Sequence, residues 1–120
     1  MKITNIRSMK LWGPLLHGQG GDTTRKIADL VELNHLPMAM RGNGGALAAI
    51  AAAHVAAASR NFPGLEYHFI ETPWIGEYVK RGTPLFKDGH IPLIDAPGVG
   101  VELNEKVCRK FLAKGEKMLV

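Results

Sequence analysis

Apolar and polar residues alternate at the start of the chain. Residues 1–12, MKITNIRSMKLW, place Ile3, Ile6 and Met9 among basic and polar neighbours, and β-branched residues come early. This pattern predicts an edge strand with one exposed face. The next segment, GPLLHGQGG over residues 13–21, is interrupted by Gly and Pro, so no long regular element is expected to cross it.

Helical periodicity follows this break. Either Asp22 or Thr23 can cap a helix over residues 22–35, because both side chains can accept hydrogen bonds from the free amides of a first turn. The helix should stop before Pro37, since the residue that precedes a proline disfavours the helical conformation. The apolar positions that follow a 3.6-residue period are Ile27, Leu30, Val31 and Leu33 or Asn34.

A strand, a helix and a second strand are predicted next. LPMAMRG, residues 36–42, indicates a short buried strand of the parallel type, and PGLEYHFI, residues 63–70, indicates another. Between them, residues 43–62 predict a helix with Asn43 as its cap. Such a βαβ unit has parallel strands, and the preceding helix extends the alternation of α and β elements. Packing explains the many alanines, because a helix with a small contact face can lie close to a sheet.

The chain becomes rich in Pro and Gly after Glu71. In PLFKDGHIPL, residues 84–93, Asp88-Gly89 stands between two apolar runs and predicts a type I′ hairpin turn. A last helix is predicted over residues 104–112, with Asn104 as cap. Its inward side is expected to hold Val107, Phe111 and Leu112.

Composition narrows the class of protein. The 120 residues are 46% hydrophobic, which is typical of a folded globular chain, and the net charge of +4 comes from 15 basic and 11 acidic residues that are mixed along the sequence. Without a basic block, the charge is that of an ordinary solvated surface and no nucleic-acid partner is expected. Residues 46–58 are too short and too weakly hydrophobic to span a bilayer, and residues 1–12 show no secretory leader. Cys108 is the only cysteine, so a soluble protein of the reducing cytoplasm is predicted.

Polar residues collect where the parallel strands are expected to end. Arg41, Asn43, Gly44 and Gly45 follow or close the first inner strand, and Glu66 lies on the next one. The carboxyl ends of adjacent parallel strands lie at the same edge of a sheet, which is where functional groups gather in α/β proteins. Arg41 and Glu66 are therefore expected to share one rim.

Each of these groups also has a plainer interpretation. Backbone amides in the glycine loop could hold a phosphate, yet Leu47 stands where a dinucleotide fingerprint has its last small residue, so a simple helix cap is the alternative. Glu66 could be a buried acid at a strand end or one half of a structural ion pair. The five histidines are scattered, with no pair at metal-ligand spacing.

Three segments resemble a known family. GGDTTRKIADLVELNHLPMAMRG, NFPGLEYHF and PLFKDGHIPLIDAPGVGVELNEKVCRKFLA are similar to the carboxyl-terminal third of enolase-superfamily proteins of the mandelate racemase and muconate lactonizing enzyme group. The similarity covers residues 20–117, and MKITNIR looks like the amino-terminal start of the same family. The family's long middle part has no counterpart here, and the join would fall within GPLLHGQ, residues 13–19.

The resemblance implies an α/β fold, a partial (β/α) barrel of enolase-superfamily type with a small α+β capping portion formed by the two chain ends. Residues 1–14 would be a capping strand, residues 15–21 a linker or deletion join, and residues 22–71 the partial barrel. Residues 72–120 would return to the cap with a β-hairpin and the last helix. Family members abstract a proton α to a carboxylate and hold the enediolate on Mg²⁺, often with acid sugars as substrates.

The family's site residues transfer only in part. Glu66 matches the acid of the last barrel strand, which in racemase-like members donates a hydrogen bond to the substrate carboxylate. Arg41 stands where many members have their histidine base, and a guanidinium can bind a carboxylate but hardly accept a proton. Leu15 occupies the place of the aspartate that usually orients that histidine. The metal-ligating carboxylates belong to strands without a counterpart here, so no Mg²⁺ is expected to bind to this chain alone.

Three functions stay open. The leading one is a shortened relative of acid-sugar dehydratases or racemases that is inactive alone. The second is an interaction module, in which a second copy or another chain covers the open barrel edge. The third is a carboxylate-binding protein that uses Arg41 and the amides of Asn43, Gly44 and Gly45.

Overall fold

The computed structural model describes residues 21–42, 45–67, 74 and 76–118. The strand predicted over residues 1–12, the break after it and the predicted cap Asn43 lie outside the described residues. The elements in chain order are α1 (Gly21–Leu33), β1 (Met40–Gly42), α2 (Gly45–Ala57), β2 (Leu65–Tyr67), β3 (Val79–Lys80), β4 (Glu102–Leu103) and α3 (Glu105–Lys110).

The predicted βαβ unit is present. Strands β1 and β2 pair in parallel, and α2 connects them. Strand β1 is shorter than the predicted span of residues 36–42. Pro37 has no amide to donate, and the Met38 amide donates to the carbonyl of Asn61 at 2.9 Å, ahead of β2. Sheet pairing therefore begins only at Met40, which is paired with Leu65.

Helix α2 is the packing centre of the described chain. Its first half contributes Ala46 and Ile50 to a buried cluster with Tyr78, Val79 and Cys108. Its second half contributes Ala56 to a separate cluster with Ala28 of α1 and Met40 of β1. The packing role predicted for the alanines is thus confirmed, because small side chains let one helix contact elements on several sides. None of the described helices is long and apolar enough to cross a membrane.

Helix α1 ends where the sequence predicts but buries another face. Asp22 and Thr23 lie inside its first turn, not at the cap. His35 adopts a left-handed φ of 55°, and the Leu36 amide bonds back to the carbonyl of Val31 at 2.9 Å, which closes the helix before Pro37. The periodic positions Ile27, Leu30 and Leu33 are 43%, 61% and 79% exposed, whereas Ala28 is 1% exposed. The helix packs through its small residue, and the larger apolar side chains remain outside the core.

The carboxyl-terminal segment forms a small unit against α2. Strands β3 and β4 pair antiparallel, with Val79 opposite Leu103. Helix α3 occupies most of its predicted range, and Phe111 just after it stacks on Trp74 with ring centroids 4.3 Å apart. Cys108 of α3 is fully buried and contacts this cluster. This cluster joins α2 to residues that follow position 72 in the sequence. The division of the chain between residues 71 and 72 stays a prediction.

One turn and one helix cap in this segment test the sequence predictions closely. Asp88 and Gly89 both have positive φ, 50° and 75°, and Lys87 and His90 exchange backbone hydrogen bonds of 2.9 Å, which confirms the predicted type I′ turn. The pairing is an isolated bridge and extends no further. Asn104 holds the cap position of α3, but its side chain makes no cap hydrogen bond. Its Nδ2 instead donates to the carbonyl of Glu77 at 3.0 Å.

Candidate functional site

The edge formed by β1 and β2 carries the two charged residues that the sequence singled out. Arg41 lies directly opposite Glu66 in the parallel register, and both side chains are exposed. Neither residue is without an interaction partner. This register places the two residues side by side, as the sequence predicts. Their roles in binding or catalysis stay predictions.

The orientation of this edge follows from the alternation along β1. Met40 is 2% exposed and contacts the cluster formed with α1 and α2, so it points toward the helices. Successive side chains of a strand point to opposite faces, and Arg41 therefore points away from the helix layer. Glu66 leaves the sheet on the same side as its register partner. In a (β/α) barrel the face opposite the helices is the inside.

The first turn of α2 is joined to the carboxyl-terminal segment by Tyr78. Its hydroxyl oxygen accepts a hydrogen bond from the Leu47 amide at 2.9 Å. Gly45, the first residue of α2, has a φ of +83°, and a Cβ there would lie 2.8 Å from the Tyr78 hydroxyl oxygen. Only glycine permits this approach, because an L side chain would be both strained and too close.

The amides at the start of α2 therefore meet a phenol of the same chain. Burial raises the pKa of Tyr78 above its ordinary value, although the backbone amides of Leu47 and Ala46 act in the opposite direction. The group bonded to these amides is thus a neutral hydroxyl. The binding roles predicted for Asn43 and Gly44 concern residues outside the described part of the chain, and that of Gly45 stays a prediction.

Tyr78 also connects the first turn of α2 with α3. Its backbone carbonyl accepts from the amide of Asn104 at 2.7 Å and lies 3.8 Å from Sγ of Cys108. The edge of its ring meets Trp74, with centroids 6.2 Å apart. Sequence reasoning did not single out Tyr78, and the one signal that points to a close approach here is Gly45, the glycine that opens α2.

The described residues do not form a metal cage. No group of three or more His, Cys, Asp or Glu side chains that could hold a metal occurs among them. Two histidines contact backbone oxygens. Nε2 of His54 lies 3.3 Å from the carbonyl oxygen of Val99, and Nδ1 of His90 lies 2.7 Å from the carbonyl oxygen of Asp88. The donor set in this part of the chain does not fit the Mg²⁺ that the family resemblance implies.

A groove of about 760 Å³ lies beside the edge but does not include Arg41 or Glu66. It runs between the end of α2, the start of β2 and the Asp88-Gly89 turn, and most of its lining is apolar. The rings of Tyr67 and Phe86 line it and have centroids 4.7 Å apart. The charged edge and the apolar groove are therefore separate surfaces.

Comparisons with known proteins agree on one relationship. Residues 15–107 match the family model described as enolase C-terminal domain-like. A D-xylonate dehydratase of Haloferax volcanii is 34% identical over 95 residues, which are 79% of this chain. The crystal structure of a mandelate racemase/muconate lactonizing enzyme-like protein from Rubrobacter xylanophilus superposes with a TM-score of 0.72 at 36% identity, over 79% of this chain.

The chain is much shorter than these relatives. It covers 23% of the D-xylonate dehydratase and 24% of the solved Rubrobacter protein. Most of each relative therefore has no counterpart in the 120 residues.

The Gly45 contact gives a stability prediction. We expect Gly45→Ala to lower the free energy of unfolding by about 2 kcal/mol or more. The left-handed conformation alone costs an L residue about 1 to 2 kcal/mol. The new Cβ would in addition displace the Tyr78 hydroxyl. Urea denaturation followed by circular dichroism measures this. Gly64→Ala is the matched control, since no atom lies within 4 Å of a Cβ at that position.

A double-mutant cycle isolates the contact. In a Tyr78→Phe background the hydroxyl is gone, and the ring atoms at 3.6 Å are in ordinary contact with the added Cβ. Gly45→Ala should then cost less than it does in the wild-type chain. Equal costs in the two backgrounds would show that the hydroxyl does not restrict this position.

Proposed function

The chain belongs to the enolase superfamily, with its enolase C-terminal domain-like segment over residues 15–107, and from this premise we propose that it supplies the carboxylate-holding edge of an acid-sugar site. In this proposal the protein is a relative of acid-sugar dehydratases and racemases that binds the carboxylate of a sugar acid and does not turn it over alone. The similarity to a D-xylonate dehydratase supports the choice of sugar acids.

One observation carries the proposal. The parallel register sets Arg41 opposite Glu66, on the sheet face away from α1 and α2. An exposed guanidinium can hold the carboxylate of a small hydroxy acid, and an exposed carboxylate beside it can accept a hydrogen bond from one of its hydroxyls. In a complete (β/α) barrel this face would be the interior, where sugar acids would meet the groups of a complete site.

The two residues have different parts in this binding. Arg41 stays protonated and can bind a carboxylate through two parallel hydrogen bonds, a geometry that adds both strength and orientation. Glu66 lies beside Arg41 on the same sheet face, and its carboxylate can accept a hydrogen bond from a hydroxyl of the sugar acid next to the bound carboxylate. Neither residue replaces the family's histidine base, because a guanidinium does not accept a proton at ordinary pH. No step of this proposal passes through a metal ion.

Assays with sugar acids test the proposal. We expect D-xylonate and related sugar acids to bind, as measured by calorimetry, and no dehydrated or racemised product to form with or without added Mg²⁺. Product formation that scales with protein concentration would disprove inactivity alone, and the absence of any binding would remove the acid-sugar site.

Replacement of the guanidinium is the sharper test. Arg41→Ala should weaken sugar-acid binding tenfold or more, about 1.4 kcal/mol, because the charge-assisted hydrogen bonds are lost. Arg60→Ala, at an exposed arginine in the turn after α2, is the matched control for overall charge and should leave the affinity unchanged. An equal effect of both variants would mean that Arg41 acts only through the net charge of the chain.

A second function is favoured by the surface of α1. Ile27, Leu30 and Leu33 of this helix are 43%, 61% and 79% exposed, and Leu36, three residues after its end, is 54% exposed. Large apolar side chains grouped in this way mark interaction surfaces, and a two-stranded parallel sheet such as β1 and β2 is normally part of a larger covered sheet. These observations favour an interaction module. In this second proposal, the exposed apolar surface of α1 contacts a second copy of the chain.

Lysine substitutions on α1 test the second proposal. The wild-type chain is expected to self-associate, and Leu30→Lys combined with Leu33→Lys should shift it to the monomer, because two charges would be buried at the contact. Sedimentation equilibrium over a range of concentrations measures this. Leu93→Lys is the control, since Leu93 is also exposed, at 45%, but lies by the apolar groove. A wild-type chain that stays monomeric at all concentrations would exclude the module.

A further inference from the structure

The turn at Asp88 and Gly89 places a side-chain carboxylate next to a backbone amide. Both residues are exposed, and their φ values of 50° and 75° belong to the type I′ turn. Within the described residues, the Asp88 carboxylate forms no ion pair or hydrogen bond, and the Gly89 amide donates no hydrogen bond. The carboxylate and the amide are therefore both available for reaction.

Two such groups can react with each other. The Gly89 nitrogen attacks Cγ of Asp88, the N–Cγ bond forms, and the carboxyl hydroxyl leaves with the amide proton as water. The product is a five-membered cyclic imide. Water that adds at the former backbone carbonyl opens the ring to isoaspartate, in which the main chain runs through the side chain of residue 88. Water that adds at Cγ restores aspartate, and neither route needs an oxidant, a reductant or a cofactor.

Glycine at position 89 removes the main steric obstacle to this attack. A Cβ on the residue that follows the aspartate hinders the approach of its nitrogen, and glycine has none. The space around Gly89 is open as well, since no atom lies within 4 Å of the place where a Cβ would be. The other aspartates of the chain are followed by Thr23, Leu30 and Ala96, which all carry side chains.

Two of those other aspartates are also restrained by their contacts. The carboxylate of Asp29 forms an ion pair of 2.8 Å with Arg25 on α1. The amide that follows Asp95 donates to the carbonyl of Ile94 at 3.0 Å. Neither aspartate combines a free carboxylate with a free amide, so the structure distinguishes the Asp88-Gly89 turn from both.

The turn conformation itself opposes the reaction. The first central residue of a type I′ turn has a ψ of about 30°, which points the next nitrogen away from its Cβ. Attack therefore requires rotation about the Cα–C bond of Asp88. Lys87 and His90 exchange backbone hydrogen bonds of 2.9 Å across the turn, and these bonds resist the rotation.

The His90 ring adds a further restraint. Its Nδ1 lies 2.7 Å from the carbonyl oxygen of Asp88, and because a carbonyl only accepts, Nδ1 is the protonated ring nitrogen in this contact. The pairing of Lys87 with His90 is an isolated bridge, so no longer ladder holds the turn closed. Opening of the turn is then a local event that does not require the core to unfold.

We propose that Asp88-Gly89 is a modification site, at which isoaspartate forms through the cyclic imide when the turn opens, and that His90 holds the turn closed. Isoaspartate adds a methylene group to the main chain, so Lys87 and His90 lose their present register. Gly89 and His90 also line the apolar groove, and the modification therefore changes one wall of that groove.

Incubation of the full chain in neutral buffer tests the site. Electron-transfer fragmentation of its peptides distinguishes isoaspartate from aspartate and locates it in the sequence. We expect isoaspartate to form at Asp88 about tenfold faster or more than at Asp95, because only Asp88 is followed by a residue without a Cβ. Asp95 is an internal control for unfolding, since unfolding of the chain would speed the reaction at both residues.

A histidine variant tests the restraint on the turn. His90→Phe keeps a ring but loses the Nδ1 donor, and it should speed the reaction at Asp88 about fivefold, the effect of one lost hydrogen bond. The rate at Asp95 in the same sample should not change. His35→Asn is the matched control, because His35 is exposed and has a positive φ that asparagine tolerates, and it should leave the rate at Asp88 unchanged.

An amide at position 88 tests the cyclic imide route. Asp88→Asn keeps a residue type that favours the type I′ turn, and ammonia leaves in place of the carboxyl hydroxyl. An amide is a better electrophile than an ionised carboxylate, so a mixture of aspartate and isoaspartate should form about tenfold faster or more than isoaspartate forms in the wild-type chain.

Three results would each overturn the proposal. One is an equal rate of isoaspartate formation at Asp88 and Asp95 in the wild-type chain. Another is a rate at Asp88 that His90→Phe does not raise. The third is an Asp88→Asn chain that reacts no faster than the wild-type chain.

Discussion

The hydrogen bond between the Tyr78 hydroxyl and the first turn of α2 is the contact on which the described structure depends most. It joins the start of α2 to the segment that carries β3 and α3, and no residue other than glycine fits at position 45 beneath it. The same tyrosine accepts the Asn104 amide through its backbone carbonyl, so the start of α3 is fixed to the same point. One residue, through its side chain and its backbone, thereby joins the start of α2 to the start of α3.

The helix behind this contact determines which surfaces remain available. Helix α2 buries Ala46 and Ile50 at one end and Ala56 at the other, and its small residues keep β1, α1 and β3 close to it. The helices then cover one face of β1 and β2, and the charged register pair Arg41 and Glu66 is left on the other. Helix α1 contacts this core through Ala28 and leaves its leucines outside. The polar edge and the apolar helix surface both follow from this one-sided packing.

Sequence patterns were informative where local chemistry determines conformation. The βαβ unit could be predicted because a glycine break and an alanine-rich run mark a helix between two apolar strands, and Asp88-Gly89 could be placed because both residues tolerate positive φ. The parallel topology then predicted that Arg41 and Glu66 share an edge. Strands β3 and β4 have two residues each, too few for any periodic signal.

Properties that depend on distant contacts could not be predicted in this way. The period of Ile27, Leu30 and Leu33 describes a helix but does not say which side of it meets the core. Asn104 is of a residue type that often caps helices, but its side chain donates a hydrogen bond to the carbonyl of Glu77, which is distant in the sequence. The contacts of Tyr78 join residues that are far apart in the sequence, so no spacing rule reveals them.

Cys108 lies at 0% exposure with its thiol toward the Tyr78 carbonyl, and burial raises the pKa of this thiol. An alkylating reagent can reach this sulfur only after α3 has separated from Tyr78, which makes the chain's single cysteine a built-in reporter of how often that part of the molecule opens.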